Sequence, residues 1–316
     1  MLTLLNYPEL KLGQIIKRPS KVCKTPYVAD TVFFDQDDEN QSEINEFQSH
    51  TPALGCCGLC EKDSVVLLNK IDEKKNKKSV CSYRVELAVL DLKNDKNHKD
   101  FENLNIINTR KICVGINPKL AETIVEKCIQ NNLIKNLTNV IKYAREVKYL
   151  NSRFDFSGLD ENGMPFVLEV KNVPLADFID VPKKERKKTF KLIEEENKKN
   201  NKPNQFDFND KIAYFPDGFR KNTKVVVSER ALKHVNELEE LALSKKIRAI
   251  LCFVIQRPDV KYFQTSNIDQ IYKEAVYKAH QNGVEITTVQ IEWNENGECK
   301  FIRNDLPISL KNGEFI

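Results

Sequence analysis

Residues 152–156 read Ser152-Arg153-Phe154-Asp155-Phe156 and residues 166–171 read Phe166-Val167-Leu168-Glu169-Val170-Lys171, with Glu161-Asn162-Gly163 between them. Two apolar runs flanking an Asn-Gly pair predict a β-hairpin. Alternate residues of a strand share a face, so Glu169 and Lys171 point one way and Leu168 and Val170 the other. Asp155 lies on the partner strand, and pairing across the turn brings two carboxylates and one ammonium together. Such a trio suits phosphodiester hydrolysis. Asp155 and Glu169 can hold Mg²⁺ or Mn²⁺, hard cations that take oxygen ligands. Lys171 can orient a water or offset negative charge building on a phosphate. Glu146, on the strand expected just before, is available as a further acid. The acid-x-Lys tripeptide alone carries little weight, because Glu9-Leu10-Lys11, Glu146-Val147-Lys148 and Asp259-Val260-Lys261 repeat it. The hairpin and Asp155 single this copy out.

Outward from the hairpin, helical and strand periods alternate. Asn117-Pro118 is a helix start, with Asn as N-cap and Pro at the first helical position. Leu120, Ile124, Cys128 and Leu133 follow at near-helical spacing. Strands are expected at Val140–Val147, Arg153–Phe156 and Phe166–Val170. Ser228 is the N-cap of a second helix whose apolar face holds Leu232, Val235, Leu238, Leu241 and Leu243. Ile247–Ile255 is a continuous apolar run, the pattern of a buried central strand. A third helix over about 268–281 stops at Asn282-Gly283, a C-cap pair, and Val284–Trp293 is a last strand. The part of the chain from residue 114 onward is thus an α/β arrangement.

Residues 1–113 carry a different pattern. Short apolar, β-branched stretches at Gly13–Ile16, Val28–Phe34, Ser64–Leu68, Tyr83–Leu90 and Ile112–Val114 are separated by polar or Gly/Pro segments, which predicts a small barrel or sandwich. Polar stretches at 35–45 and 93–105 read as surface loops. The expected domains are 1–113 and 114–316, in keeping with a length of 316 residues.

Composition narrows the class. Hydrophobic residues make up 41% and charged residues 30%, which excludes wholesale disorder. No apolar run approaches the roughly 20 residues needed to cross a bilayer, so no membrane partner is expected. The apolar start at Met1–Leu5 ends too early at Tyr7-Pro8-Glu9 for a signal peptide. The nine cysteines, an odd number, fit reduced thiols in the cytoplasm, or in the nucleus of a eukaryotic cell. Cys57-Gly58-Leu59-Cys60 is a single CxxC where a structural zinc site needs four ligands. Buried or free thiols are the simpler reading.

The segments around the trio resemble the sugar fermentation stimulation protein (SfsA) family. The matching strings are Ser152-Arg153-Phe154-Asp155-Phe156, Glu169-Val170-Lys171-Asn172-Val173, Phe215-Pro216-Asp217 and Ser228-Glu229-Arg230 with Lys233-His234. Phe253-Val254-Ile255-Gln256-Arg257-Pro258-Asp259 and Gly283-Val284-Glu285 follow in the same order. The resemblance covers about 140–310 and is weaker upstream, at Arg18, His50-Thr51-Pro52, Gly58-Leu59-Cys60-Glu61 and Asn117. It implies an N-terminal OB-like barrel joined to a PD-(D/E)xK restriction-endonuclease-like α/β domain, with DNA binding that is largely sequence-independent. RNA as a partner and a homodimer are left open. Asp155, Glu169 and Lys171 fill the nuclease-type motif and Glu146 the upstream acid. Such a fold also serves as a binding module without turnover. The chain departs from the family pattern at Ala53-Leu54 after Pro52, at Leu150, at Pro174 and in extra residues at 218–227.

Three more features complete the reading. Arg230, Lys233 and His234 lie three and four residues apart on the second helix, where they can share a face toward nucleic-acid phosphates. Gln256, after the central strand, could turn into the site or make a strand-end hydrogen bond. Arg153 is expected in a structural ion pair. The tract 182–204 holds nine basic and four acidic side chains, an excess larger than the whole chain's net +4. It reads as an exposed, part-helical insertion outside the family pattern, and its charge is no evidence for a polyanionic partner.

Overall fold

The computed structural model describes residues 1–7, 9–34, 46–72, 80–91, 105–216, 225–311 and 313–316. The expected loops at 35–45 and 93–104, and Asp217 with most of the extra segment after it, lie outside the described residues. The described residues form two compact units, one within Met1–Asn97, Arg110–Ala121 and Glu292–Phe301, the other within His98–Thr109, Glu122–Ile291 and Ile302–Ile316. The units do not follow a single cut at residue 114. The reason is strand pairing: Thr3–Asn6 pairs antiparallel with Glu298–Arg303, which draws a late segment into the first unit.

In the first unit, five strands close into a barrel. Lys11–Lys17 pairs with Val28–Phe33 and with Val65–Lys70, Val28–Phe33 pairs with Phe47–His50, and Val65–Lys70 pairs with Tyr83–Leu90. A parallel pairing of Phe47–His50 with Tyr83–Leu90 completes the ring. Four of these strands match the apolar stretches. The fifth, Phe47-Gln48-Ser49-His50, is short, polar at three of its four positions, and no alternation announces it. Its Ser49 is buried against Thr31, with their hydroxyls hydrogen-bonded at 2.5 Å. Gly13 is required by close approach, since a Cβ there would lie 2.6 Å from the Val32 carbonyl oxygen.

The second unit is mixed α/β. Its main sheet runs in the order Lys142–Tyr149, Ser152–Leu159, Pro165–Val173, Arg248–Ile255, Glu285–Trp293. The first three strands are antiparallel neighbours, and the last three are parallel. The Asn162-Gly163 turn forms as expected: Gly163 has φ +76°, and Asp160 Oδ1 accepts from the amides of Asn162 and Met164 at 2.9 Å each. A smaller sheet, unannounced by periodicity, aligns Lys211–Phe215, Val260–Thr265 and Ile308–Lys311 in parallel.

Four helices occur among the described residues: α1 (Pro118–Gln130), α2 (Arg186–Lys199), α3 (Glu229–Leu243) and α4 (Gln270–Gln281). The caps are as read from sequence. Asn117 Oδ1 accepts from the Lys119 amide, Ser228 Oγ accepts from the Ala231 amide, and Gly283 stands just past α4 at φ +100°. Val235 and Leu238 of α3 are fully buried against Phe154, Leu251 and Phe253 of the sheet and Tyr272 and Val276 of α4. Leu243, expected on that face, is 57% exposed at the helix end. α2 lies inside the tract read as an insertion and is fastened by Phe190, packed with Phe178 and Phe206. No helix among the described residues is long and apolar enough to cross a membrane.

Candidate active site

The site is built where the Ser152–Leu159 ladder ends. Pairing with Pro165–Val173 runs from Leu159↔Pro165 to Phe156↔Leu168 and stops there. Beyond that point the Asp155 side chain takes the place of the main chain: its Oδ2 accepts from the Val170 amide at 2.7 Å. Glu169 and Lys171 stand on the same face two residues apart, and Lys171 Nζ donates to Glu169 Oε1 at 2.5 Å. Both are buried, at 3% and 9% exposure. The three residues expected to converge do so.

His234 also donates to Glu169, its Nδ1–H meeting the same Oε1. The carboxylate is acceptor-only when ionised, which assigns the proton to Nδ1. The sequence reading placed His234 with Arg230 and Lys233 toward nucleic acid, and the structure corrects this. Ala231, His234, Val235 and Leu238 form the buried stripe of α3, at i, i+3, i+4 and i+7. The spacing from Arg230 was a weaker signal than the apolar register in which His234 sits. Arg230 and Lys233 are exposed on the flank, with Lys233 Nζ donating to the Asn151 carbonyl at 2.7 Å.

Glu146 is likewise not brought to the trio. Its backbone is left-handed at φ +51°, which breaks the ladder between Phe154↔Val147 and Phe156↔Arg145. Its exposed side chain accepts from Arg153 at 3.0 Å, the ion pair expected for Arg153. A different acid acts on Asp155: the charge of Glu122, on α1, raises its pKa. Glu122 and Glu126 are one helical turn apart and both bind the Arg145 guanidinium. That i, i+4 acid pair was visible in the sequence. Gln256 makes the strand-end alternative, donating through Nε2 to Asn172 Oδ1 at 2.8 Å.

The two acids are held in opposite electrostatic states. Burial, then the neighbouring Glu169 charge, pushes Asp155 up to about 7, against the pull of the Val170 amide. Burial alone would raise Glu169 as well, but Lys171 and His234 outweigh it and hold that carboxyl below its ordinary value. Glu169 Oε2 is buried with no hydrogen-bond partner. A buried orphan carboxylate oxygen beside a second carboxylate that resists ionisation is what a bound cation would relieve. Both donors are hard oxygens suited to Mg²⁺ or Mn²⁺. Among the described residues no group of three or more His, Cys, Asp or Glu gathers as a metal cage.

A five-stranded barrel unit and a mixed α/β unit carrying an acid–acid–lysine trio, with Glu169 and Lys171 buried and Asp155 half-buried, define the class of molecule. Known proteins give the family. The model of the sugar fermentation stimulation protein RE domain matches residues 119–185 and 199–297, omitting nearly all of α2. A sugar fermentation stimulation protein homolog from Brucella ovis is 30% identical over 207 residues, 64% of this chain and 70% of that protein. One from Clostridium tetani is 31% identical over 187 residues, 58% of this chain and 62% of its own length. The match thus spans under two thirds of the Clostridium relative. The structure of Pyrococcus furiosus SfsA in complex with Ca²⁺ superposes with a TM-score of 0.64 at 16% identity, covering 98% of this chain and 100% of that one. At that identity the likeness concerns fold alone. The chain belongs to the sugar fermentation stimulation protein (SfsA) family.

Proposed function

We propose that this SfsA-family protein binds DNA with little sequence preference through an OB-like barrel and a PD-(D/E)xK-type domain, and that the latter hydrolyses phosphodiesters with a divalent metal. The observation that carries the reading is the convergence of Asp155, Glu169 and Lys171, with Glu169 Oε2 buried and unpartnered. Asp155 Oδ1 and Glu169 Oε2 are the oxygens that would hold the ion. A bound Mg²⁺ or Mn²⁺ lowers the pKa of a water and offsets charge on the phosphate. Lys171 places a fixed positive charge beside the phosphate and can orient the attacking water. Burial of the Glu169–Lys171 pair limits screening, so its charge acts at higher strength than in water.

The test is incubation of the purified chain with single- and double-stranded DNA and RNA, in Mg²⁺, Mn²⁺ or chelator. Product forms only with metal, and Asp155→Ala and Lys171→Ala each abolish it while the circular dichroism spectrum stays that of the parent. Cleavage that persists in both variants overturns the assignment. A second reading, DNA binding without turnover, is favoured by one observation: Lys171 is committed to Glu169 at 2.5 Å. Its signature is salt-dependent binding with no product under either metal.

A further inference from the structure

We infer that His234 is a positioning residue for Glu169 and not a contact to nucleic acid. The inference rests on the reading above, in which Glu169 is a metal ligand. Glu169 has two oxygens, and the protein treats them unequally. Oε1 receives both Lys171 Nζ and His234 Nδ1, while Oε2 receives nothing. Two donors on one oxygen fix the carboxylate's rotation and leave Oε2 as the single atom available to a cation. The donors come from different elements. Lys171 shares a strand with Glu169 and moves with it. His234 reaches across from α3 and, among the described residues, is the one side chain whose hydrogen bond ties Glu169 to a second element.

His234 is itself fixed. It is 4% exposed, lies in the buried stripe of α3, and its ring faces Phe154 with centroids 5.7 Å apart. A side chain so enclosed is poorly placed to meet a phosphate. It is well placed to orient a ligand, as groups behind a metal's direct ligands do. Arg230, exposed on the same helix, remains a group able to approach phosphates, whereas exposed Lys233 is engaged by the Asn151 carbonyl.

The experiment separates the two roles with readouts other than cleavage. His234→Leu removes the donor. His234→Asn keeps a donor where Nδ1 lies, and His234→Gln moves it to where Nε2 lies. Mn²⁺ alone is titrated calorimetrically into each, and DNA binding is measured in chelator across a salt series. The Leu variant should bind Mn²⁺ about 10–100-fold more weakly. The Asn variant should recover most of that loss and the Gln variant little of it. DNA affinity in chelator, and its dependence on salt, should match the parent in all three. Unchanged Mn²⁺ affinity in the Leu variant overturns the inference. So does a salt slope shallower by about one, the mark of a lost phosphate contact. If the Leu variant does not fold, equal Mn²⁺ affinities for the Asn and Gln variants overturn it. A parent protein that binds no Mn²⁺ removes the metal reading and this inference together, whereas a parent that binds it and a Leu variant that equals it removes this inference alone.

Discussion

At the residue scale, two carboxylates on neighbouring strands have opposite thermodynamic signs. Glu169 answers a buried ammonium and an imidazole N–H, so its charge is needed for folding even without metal. Glu169→Gln should cost about 3–5 kcal/mol, because it leaves Lys171 buried without its counter-charge. Asp155 is the reverse. Its carboxyl titrates at about 7 in the folded chain against 3.8 otherwise, so ionising it opposes folding. Asp155→Asn should therefore stabilise the protein in chelator at mildly alkaline pH, by up to about 4 kcal/mol. Urea denaturation of both variants in chelator checks the pair. Equal losses in the two would show that burial and the Glu169 charge do not act on Asp155 as described. The trio was legible because strand alternation and an Asn-Gly turn are strictly local signals. Glu146 was misplaced because a single left-handed residue inverts that alternation, and residue type does not announce a positive φ at a glutamate.

At the element scale, sequence and structure agree where a cap or an unbroken apolar run marks the element. Ser228, Asn117 and Asn282-Gly283 bound their helices, and the apolar run ending at Ile255 is the central strand. Ser228→Ala should cost about 1 kcal/mol and loosen the helix that carries His234, seen as faster amide exchange over its first turns. The strands that were missed, Phe47–His50 and those of the smaller sheet, are short and defined by partners distant in sequence. Local pattern cannot register such pairing. α2 shows a third behaviour. Its 14 residues would be marginal as an isolated helix, and it is held by Phe190 and by the Arg186–Asp177 pair at 2.7 Å. Phe190→Ala should free it: exchange over 186–199 should approach that of an unstructured peptide while the main sheet keeps its protection. Loss of protection in both places would instead make α2 an integral part of the core.

At the scale of the whole molecule, charge balance and charge placement act differently. The net charge of +4 is small, and the excess of the tract 182–204 alone exceeds it. It therefore says little about a partner. Several charges that shape the chain's response to acid are buried and paired. Asp30, in the barrel unit, accepts from Ser20 and the Lys21 amide. Asp160, in the α/β unit, is held by Arg248 at 2.8 Å. Both sit below the ordinary carboxylate value even though burial pushes the other way. The strongest case is Asp259, fully buried in the string Gln256-Arg257-Pro258-Asp259. Burial would raise it, but Arg257 at 2.7 and 2.8 Å and Lys211 at 2.7 Å hold it at about 2. A carboxyl depressed on folding adds stability that is present above its unfolded value and is lost as pH falls through its folded one. The protein should thus keep this contribution, about 2 kcal/mol, down to about pH 4 and lose it toward pH 2. Asp259→Asn should cost about 3–5 kcal/mol at neutral pH, since it strands a buried guanidinium and ammonium. The gap between parent and variant should then narrow progressively below about pH 4. Denaturant unfolding across that range reads the gap directly. A gap that stays constant down to about pH 2 would place the acid sensitivity on the other carboxylates and leave Asp259 as packing alone.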